Sequence, residues 1–213
     1  MPERPVRIPV EKGKLTLEGL LDEGKNGRNV LLCHPHPLYG GNMHNNVVLA
    51  AQQTFAGLGW GTLRFNFRGA GGSGGEPAQG DKDAEDLLAV SQFLREKFPL
   101  HQQDLAAYSY GAWVGLKAVR LGLSPEVLAL FSPPLDFIGF EGLALPDAPV
   151  LITLGNQDEF CSIESLRSWL AGQSAANRAT LDIFPYGDHF YWGTERELAR
   201  KIKSFLEKNV VLS

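Results

Sequence analysis

After an opening hairpin, apolar runs of strand length alternate with segments of helical spacing to the end of the chain. That alternation narrows the fold more than any other feature. It implies a mostly parallel sheet with helices on both faces. "RPVRIPV" (4–10) and "KLTLEGLLDE" (14–23) alternate around a turn at Gly13 and read as the hairpin. Further strands are expected at 28–34, 60–67, 104–109, 126–132, 148–155 and 179–185. Helices are expected at 45–59, 83–98, 110–121, 163–173 and 195–210, the second with acids in its first turn as its dipole prefers. The 213 residues are read as one domain spanning 1–213, with no internal repeat and no long linker.

Composition excludes several classes. The net charge is −4 and no basic run occurs, which argues against nucleic acid or anionic membrane as partner. Two cysteines, Cys33 and Cys161, are too few for a disulfide framework. No signal-peptide pattern or membrane-length apolar run is seen, so a cytoplasmic location is expected.

In a parallel sheet chemistry gathers at the carboxyl ends of strands. There, "LAAYSYGAWVG" sets Ser109 between a strand and a helix with Gly111 two places on, close to a G-x-S-x-G nucleophile elbow. Ala107 stands where glycine is usual. An ordinary serine N-cap is the plainer reading of S-x-G alone. A hydroxyl nucleophile needs a base and an orienting acid, in the chain order Ser, acid, His for this architecture. His189, in "FPYGDHFYWG", is the only histidine after Ser109. Asp158, in "VLITLGNQDEF", ends an intervening strand, and Asp136 in "FSPPLDF" is the fallback acid. Asp188 is poorly placed beside its neighbour His189.

"LLCHPHPLYGGNMHNN" raises a metal reading through His34 and His36. It fails on ligand supply, because His44 reads as first-turn helix and His101 lies at the wrong end of the sheet. The loop suits an oxyanion hole better, with backbone N–H groups from His36 and Tyr110, since Pro35 and Pro37 have none to give. His34 is then a hydrogen-bonded scaffold group. "RGAGGSGGE" (68–76) satisfies G-x-G-x-x-G but opens no helix, so neither dinucleotide nor phosphate binding is expected, and no cofactor. It reads as a flexible loop on the rim of the site. Arg64 and Arg68 suit either an acidic substrate or ties between loops.

With these residues in view, the chain resembles the α/β-hydrolases, specifically the small bacterial group without a lid. "HPHPLYGG", "RFNFRG", "AYSYGA", "GNQDEF" and "GDHF" carry the resemblance in order over most of the chain. It implies an eight-stranded sheet with only strand 2 antiparallel, and Ser109, Asp158 and His189 as catalytic triad. A carboxylesterase forming an acyl-enzyme is expected. Thioester, amide or acyl-transfer chemistry on the same triad, and a non-catalytic binding protein, are the alternatives. The segment 133–147 is too short for a helical cap, so an open, apolar site for small esters is expected. Tyr39, Phe137, Phe160 and Phe190 are the named substrate-binding residues. Ile138, Phe140, Tyr191 and Trp192 are further candidates for its wall. Such exposed aromatics suit a substrate wall and a dimer patch equally.

Overall fold

Every strand of the predicted alternation pairs into one eight-stranded sheet of order β1-β2-β4-β3-β5-β6-β7-β8. The computed structural model describes residues 3–78 and 80–210. The strands are β1 (Arg4–Val10), β2 (Leu15–Asp22), β3 (Arg28–Cys33), β4 (Gly61–Phe65), β5 (Gln102–Tyr108), β6 (Leu128–Phe131), β7 (Val150–Gly155) and β8 (Ala179–Phe184). The helices are α1 (Asn46–Gly57), α2 (Asp81–Lys97), α3 (Tyr110–Arg120), α4 (Ile163–Ala171) and α5 (Glu195–Asn209). β2 runs antiparallel to both its neighbours, and all the other pairings are parallel.

The central strands are apolar on both faces because each face meets a helical layer. On β5, Leu105 and Ala107 pack with α2, α3 and α4, while Ala106 and Tyr108 pack with α1 and α5. α5 shows why the helices dock as they do. Its buried residues are Leu198, Ile202, Phe205 and Leu206, one stripe at helical spacing, and the remaining surface is mostly charged. No helix among the described residues is long and apolar enough to cross a membrane.

Strand order fixes where a site can form. The chain leaves β3 toward β4 on one side, then returns to place β5 on the other. Loops leaving the carboxyl ends of β3 and β5 therefore diverge and open a crevice between them.

Candidate active site

The elbow lies at that crevice. Ser109 sits between β5 and α3 with φ 54° and ψ −119°, a left-handed backbone that a serine adopts only when its surroundings enforce it. Crowding around Gly111 supplies the enforcement. A Cβ there would come within 2.7 Å of the His34 carbonyl oxygen and 2.9 Å of the Cys33 Cβ. The departure at Ala107 is absorbed by the facing helix, where a Cβ on Gly115 would still lie 3.6 Å from the Ala107 methyl.

The structure brings Ser109, His189 and Asp158 into one hydrogen-bonded chain. Ser109 Oγ is 2.8 Å from His189 Nε2. His189 Nδ1 is 2.9 and 3.0 Å from the two Asp158 oxygens. A carboxylate facing Nδ1 puts the ring proton there and leaves the Nε2 lone pair toward Ser109. The Asp158 side chain is fully buried, and its Oδ1 also accepts from the N–H groups of Phe160 and Cys161. The alternative acid is turned away. Asp136 accepts from the Ser162 N–H at 2.6 Å, and hydrogen bonds from Ser165 and Ser162 hold its carboxyl below the usual range. Asp188 caps the N–H groups of Phe190 and Tyr191.

The loop carrying His189 is fastened by residues that the sequence did not single out for this purpose. The Tyr108 hydroxyl donates to the His189 carbonyl at 2.9 Å. Asn46 Nδ2 donates to the Phe190 carbonyl at 2.9 Å. Tyr191, expected on the cavity wall, is instead buried beneath it. Its hydroxyl lies 3.0 Å from Ser132 Oγ and 2.7 Å from Thr153 Oγ1, which bolts the loop to the ends of β6 and β7. The only sequence signal was the run of three aromatics after His189, and that signal did not say which way they face.

His36 and Tyr110 come together across the crevice, with ring centroids 4.3 Å apart. Among the described residues, neither backbone N–H meets a protein acceptor. Tyr110 opens α3, so its N–H has no intrahelical partner. The His36 carbonyl accepts from Tyr39 and Gly41, closing the loop on itself. His34 locks the base of this loop. Its Nδ1–H donates to the Pro35 carbonyl at 2.6 Å, and its Nε2 accepts from the Phe67 N–H at 2.9 Å. Complete burial drives its pKa down to about 4, so it is a neutral clamp with no nitrogen left for a metal. His44 precedes α1, one residue before the Asn45 cap rather than within the first turn, and its Nδ1 faces Arg64. Among the described residues, no group of three or more His, Cys, Asp or Glu could hold a metal ion.

Ser109 and His189 open into a cavity of about 490 Å³. All four named aromatics, Tyr39, Phe137, Phe160 and Phe190, line it, with Ile138 beside them. Phe140 does not; it is buried against Trp169. Trp192 is exposed and lies off the cavity wall. The segment between β6 and β7 contains no helix, so no helical cap from that segment covers the opening. The glycine loop is not at the rim. It folds onto the opening hairpin, with the Gly74 N–H on the Thr16 carbonyl and the Gly72 N–H on Glu18. Arg64 pairs with Glu3 and the Met43 carbonyl, and Arg68 with Asp86 and Glu11, so both tie segments together.

Similarity to known proteins agrees with this architecture. No family model matches the chain. The uncharacterised protein RP471 of Rickettsia prowazekii (strain Madrid E) is 32% identical over 188 residues, covering 85% of this chain and 79% of its own length. XC6422 from Xanthomonas campestris, described as an α/β serine hydrolase without lid, superposes with a TM-score of 0.89 at 28% identity. That match covers 98% of this chain and 95% of XC6422. An α/β serine hydrolase homologue from Coxiella burnetii gives 0.88 at 30% identity, over 97% of this chain and 98% of its own. The chain belongs to the α/β serine hydrolases that lack a lid.

Proposed function

We propose that this α/β serine hydrolase is a carboxylesterase acting on small esters through an acyl-enzyme on Ser109. The observation that carries the reading is the Ser109–His189–Asp158 chain, with contacts of 2.8 and 2.9 Å, opening into an uncapped aromatic cavity. Ser109 Oγ attacks the ester carbonyl while His189 Nε2 takes its proton. Asp158 holds the imidazole in the required tautomer and stabilises the cation that forms. The N–H groups of His36 and Tyr110 receive the developing oxyanion, each worth about 3–4 kcal/mol if removed. His189 then protonates the leaving alcohol, and water resolves the acyl-enzyme by the same path.

An apolar wall favours an apolar acyl group, and among the described residues no lysine or arginine lines the cavity to attract a charged one. The test is intact-mass analysis after treatment with a fluorophosphonate, on wild type and Ser109→Ala. A single adduct on wild type and none on the variant supports an activated Ser109. Esters and thioesters of increasing chain length then separate the carboxylesterase from a thioesterase. An unlabelled, well-folded wild type sinks the catalytic reading and favours a binding protein.

A further inference from the structure

Beside the Ser109 chain, the molecule buries another titratable group. Asp83, in the first turn of α2, is 0% exposed. Its Oδ2 makes a short hydrogen bond with the hydroxyl of Tyr110, the residue that follows Ser109. The same hydroxyl is 3.0 Å from the Ala78 carbonyl, and the Gly80 N–H approaches it at 3.4 Å. Asp83 Oδ1 is buried and, among the described residues, meets no donor.

Counting protons decides the state of this cluster. Tyr110 Oη lies against two oxygens, and a phenol carries one hydrogen. If Asp83 is ionised, either its Oδ2 or the Ala78 carbonyl goes without a proton, and Oδ1 is part of an unpaired buried charge. If Oδ2 is protonated, Asp83 donates to Tyr110 and Tyr110 donates to Ala78. Both contacts are then filled.

We propose that Asp83 is a positioning residue for the acyl transfer described above, gripping Tyr110 Oη as a neutral acid and thereby setting the first turn of α3. The inference rests on that reading, because what the grip aligns is the Tyr110 N–H offered to the oxyanion. Tyr110 also packs against the His36 ring, so a shift of its side chain reaches both proposed donors. The charges around Asp83 are few. Asp86, on the same helix, raises its pKa, while Arg68, from the loop after β4, lowers it and is itself paired with Asp86 and Glu11. On α3, Lys117 is engaged by Asp81 at the helix start. Burial is the largest influence and lifts the carboxyl to about 6, outweighing the hydrogen bond with Tyr110, the next influence, which lowers it. Above that pH the proton leaves, Tyr110 turns its hydrogen to Asp83, and the Ala78 carbonyl is released.

The test compares Asp83→Asn, Asp83→Ala and Tyr110→Phe in the full chain, with kcat and KM measured separately on a p-nitrophenyl ester across pH about 5–8. Asp83→Ala and Tyr110→Phe should each lower kcat about ten- to hundredfold with little change in KM, and together cost no more than either alone. Asp83→Asn keeps an N–H donor where the acid had its O–H. It should retain wild-type kcat at low pH and lose any ionisation near 6 from its profile. Wild-type kcat in Asp83→Ala, or a loss in Asp83→Asn as deep as in alanine, overturns the proposal. If the alanine variant fails to fold, the asparagine and phenylalanine variants still decide.

Thermal midpoints supply a readout independent of activity. A carboxyl raised from 3.8 to about 6 by folding contributes its full stability at low pH and loses it as pH rises through that interval. The midpoint of Asp83→Asn relative to wild type should therefore climb from pH about 4 to about 6 and then level. A flat difference overturns the neutral acid. A wild type that neither hydrolyses esters nor takes up fluorophosphonate would instead overturn the proposed function and leave the thermal result standing.

Discussion

Two glycine-bearing loops leave neighbouring parallel strands, and they end up as opposites. The loop after β3, residues 34–41, faces the cavity and, among the described residues, leaves the His36 N–H without a protein acceptor. The loop after β4, residues 68–76, turns away and spends its donors. Gly69 N–H goes to the Gly74 carbonyl, Gly74 N–H to the Thr16 carbonyl, and Gly72 N–H to Glu18. Both loops are tight where glycine stands. A Cβ on Gly41 would meet the Pro35 carbonyl oxygen at 2.2 Å, and one on Gly71 would meet Glu18 Oε1 at 2.3 Å. Glycine content therefore does not mark a site. What distinguishes the first loop is an unspent N–H held still, by prolines that offer none and by a buried histidine that clamps the backbone.

Breaking that contrast should be costly in different currencies on the two sides. Gly41→Ala must push the His36 segment aside, so kcat/KM should fall about 10²–10³-fold, near the loss of one oxyanion donor, while the fold survives. Gly71→Ala should lower the thermal midpoint yet leave kcat/KM of the folded protein unchanged. If both variants lose activity alike, the two loops are not functionally distinct.

The clamp that serves both loops predicts an acid effect. His34 is held neutral, with its pKa depressed from 6.5 to about 4. The unfolded chain takes up this proton first, so stability is lost as pH falls from about 6.5 toward 4, by roughly 3 kcal/mol for this group. His34→Gln cannot titrate and should show a flatter acid limb in urea unfolding. Asp83 and Asp104, both raised to about 6 mainly by burial, act in the opposite sense over an overlapping range and remain in the variant. An unchanged acid limb would remove His34 from the account.

Smaller effects sharpen the comparison. Glu18 accepts from Asn66 Nδ2 and the Gly72 N–H, so Glu18→Ala should cost about 1.5–3 kcal/mol of stability with no change in kcat. Phe137 lines the cavity but is 53% exposed. Phe137→Ala should raise KM about fivefold, near 1 kcal/mol, with kcat nearly intact. A larger loss in kcat would mean that the ring orders the reacting groups rather than the acyl chain.

How much of this was legible beforehand follows the range of the interactions. Strand and helix periods are local, and every expected element formed within a few residues of its expected bounds. The Ser109, Asp158 and His189 positions were legible because each ends a strand or follows one in a fixed order. Asp158 reads as the acid ahead of Asp136 because it ends an intervening strand. What turns Asp136 away was not legible, since its bond from the Ser162 N–H is a contact between the loops after β6 and β7. The glycine loop reads from sequence as a flexible rim because its partners, Arg7, Thr16 and Glu18, lie in the opening hairpin more than 50 residues earlier. Phe140 and Tyr191 were misplaced for a related reason. An aromatic beside a motif can face substrate or core, and only the neighbouring strand ends decide. Tyr191 found Ser132 and Thr153 there.

The uncapped cavity has a kinetic corollary. With no helix between β6 and β7, there is no cover for a lipid surface to displace. Hydrolysis should then follow the concentration of dissolved, monomeric substrate along a simple saturation curve. No upward break is expected where an ester begins to form micelles, because aggregation only withdraws molecules from a doorway that is already open.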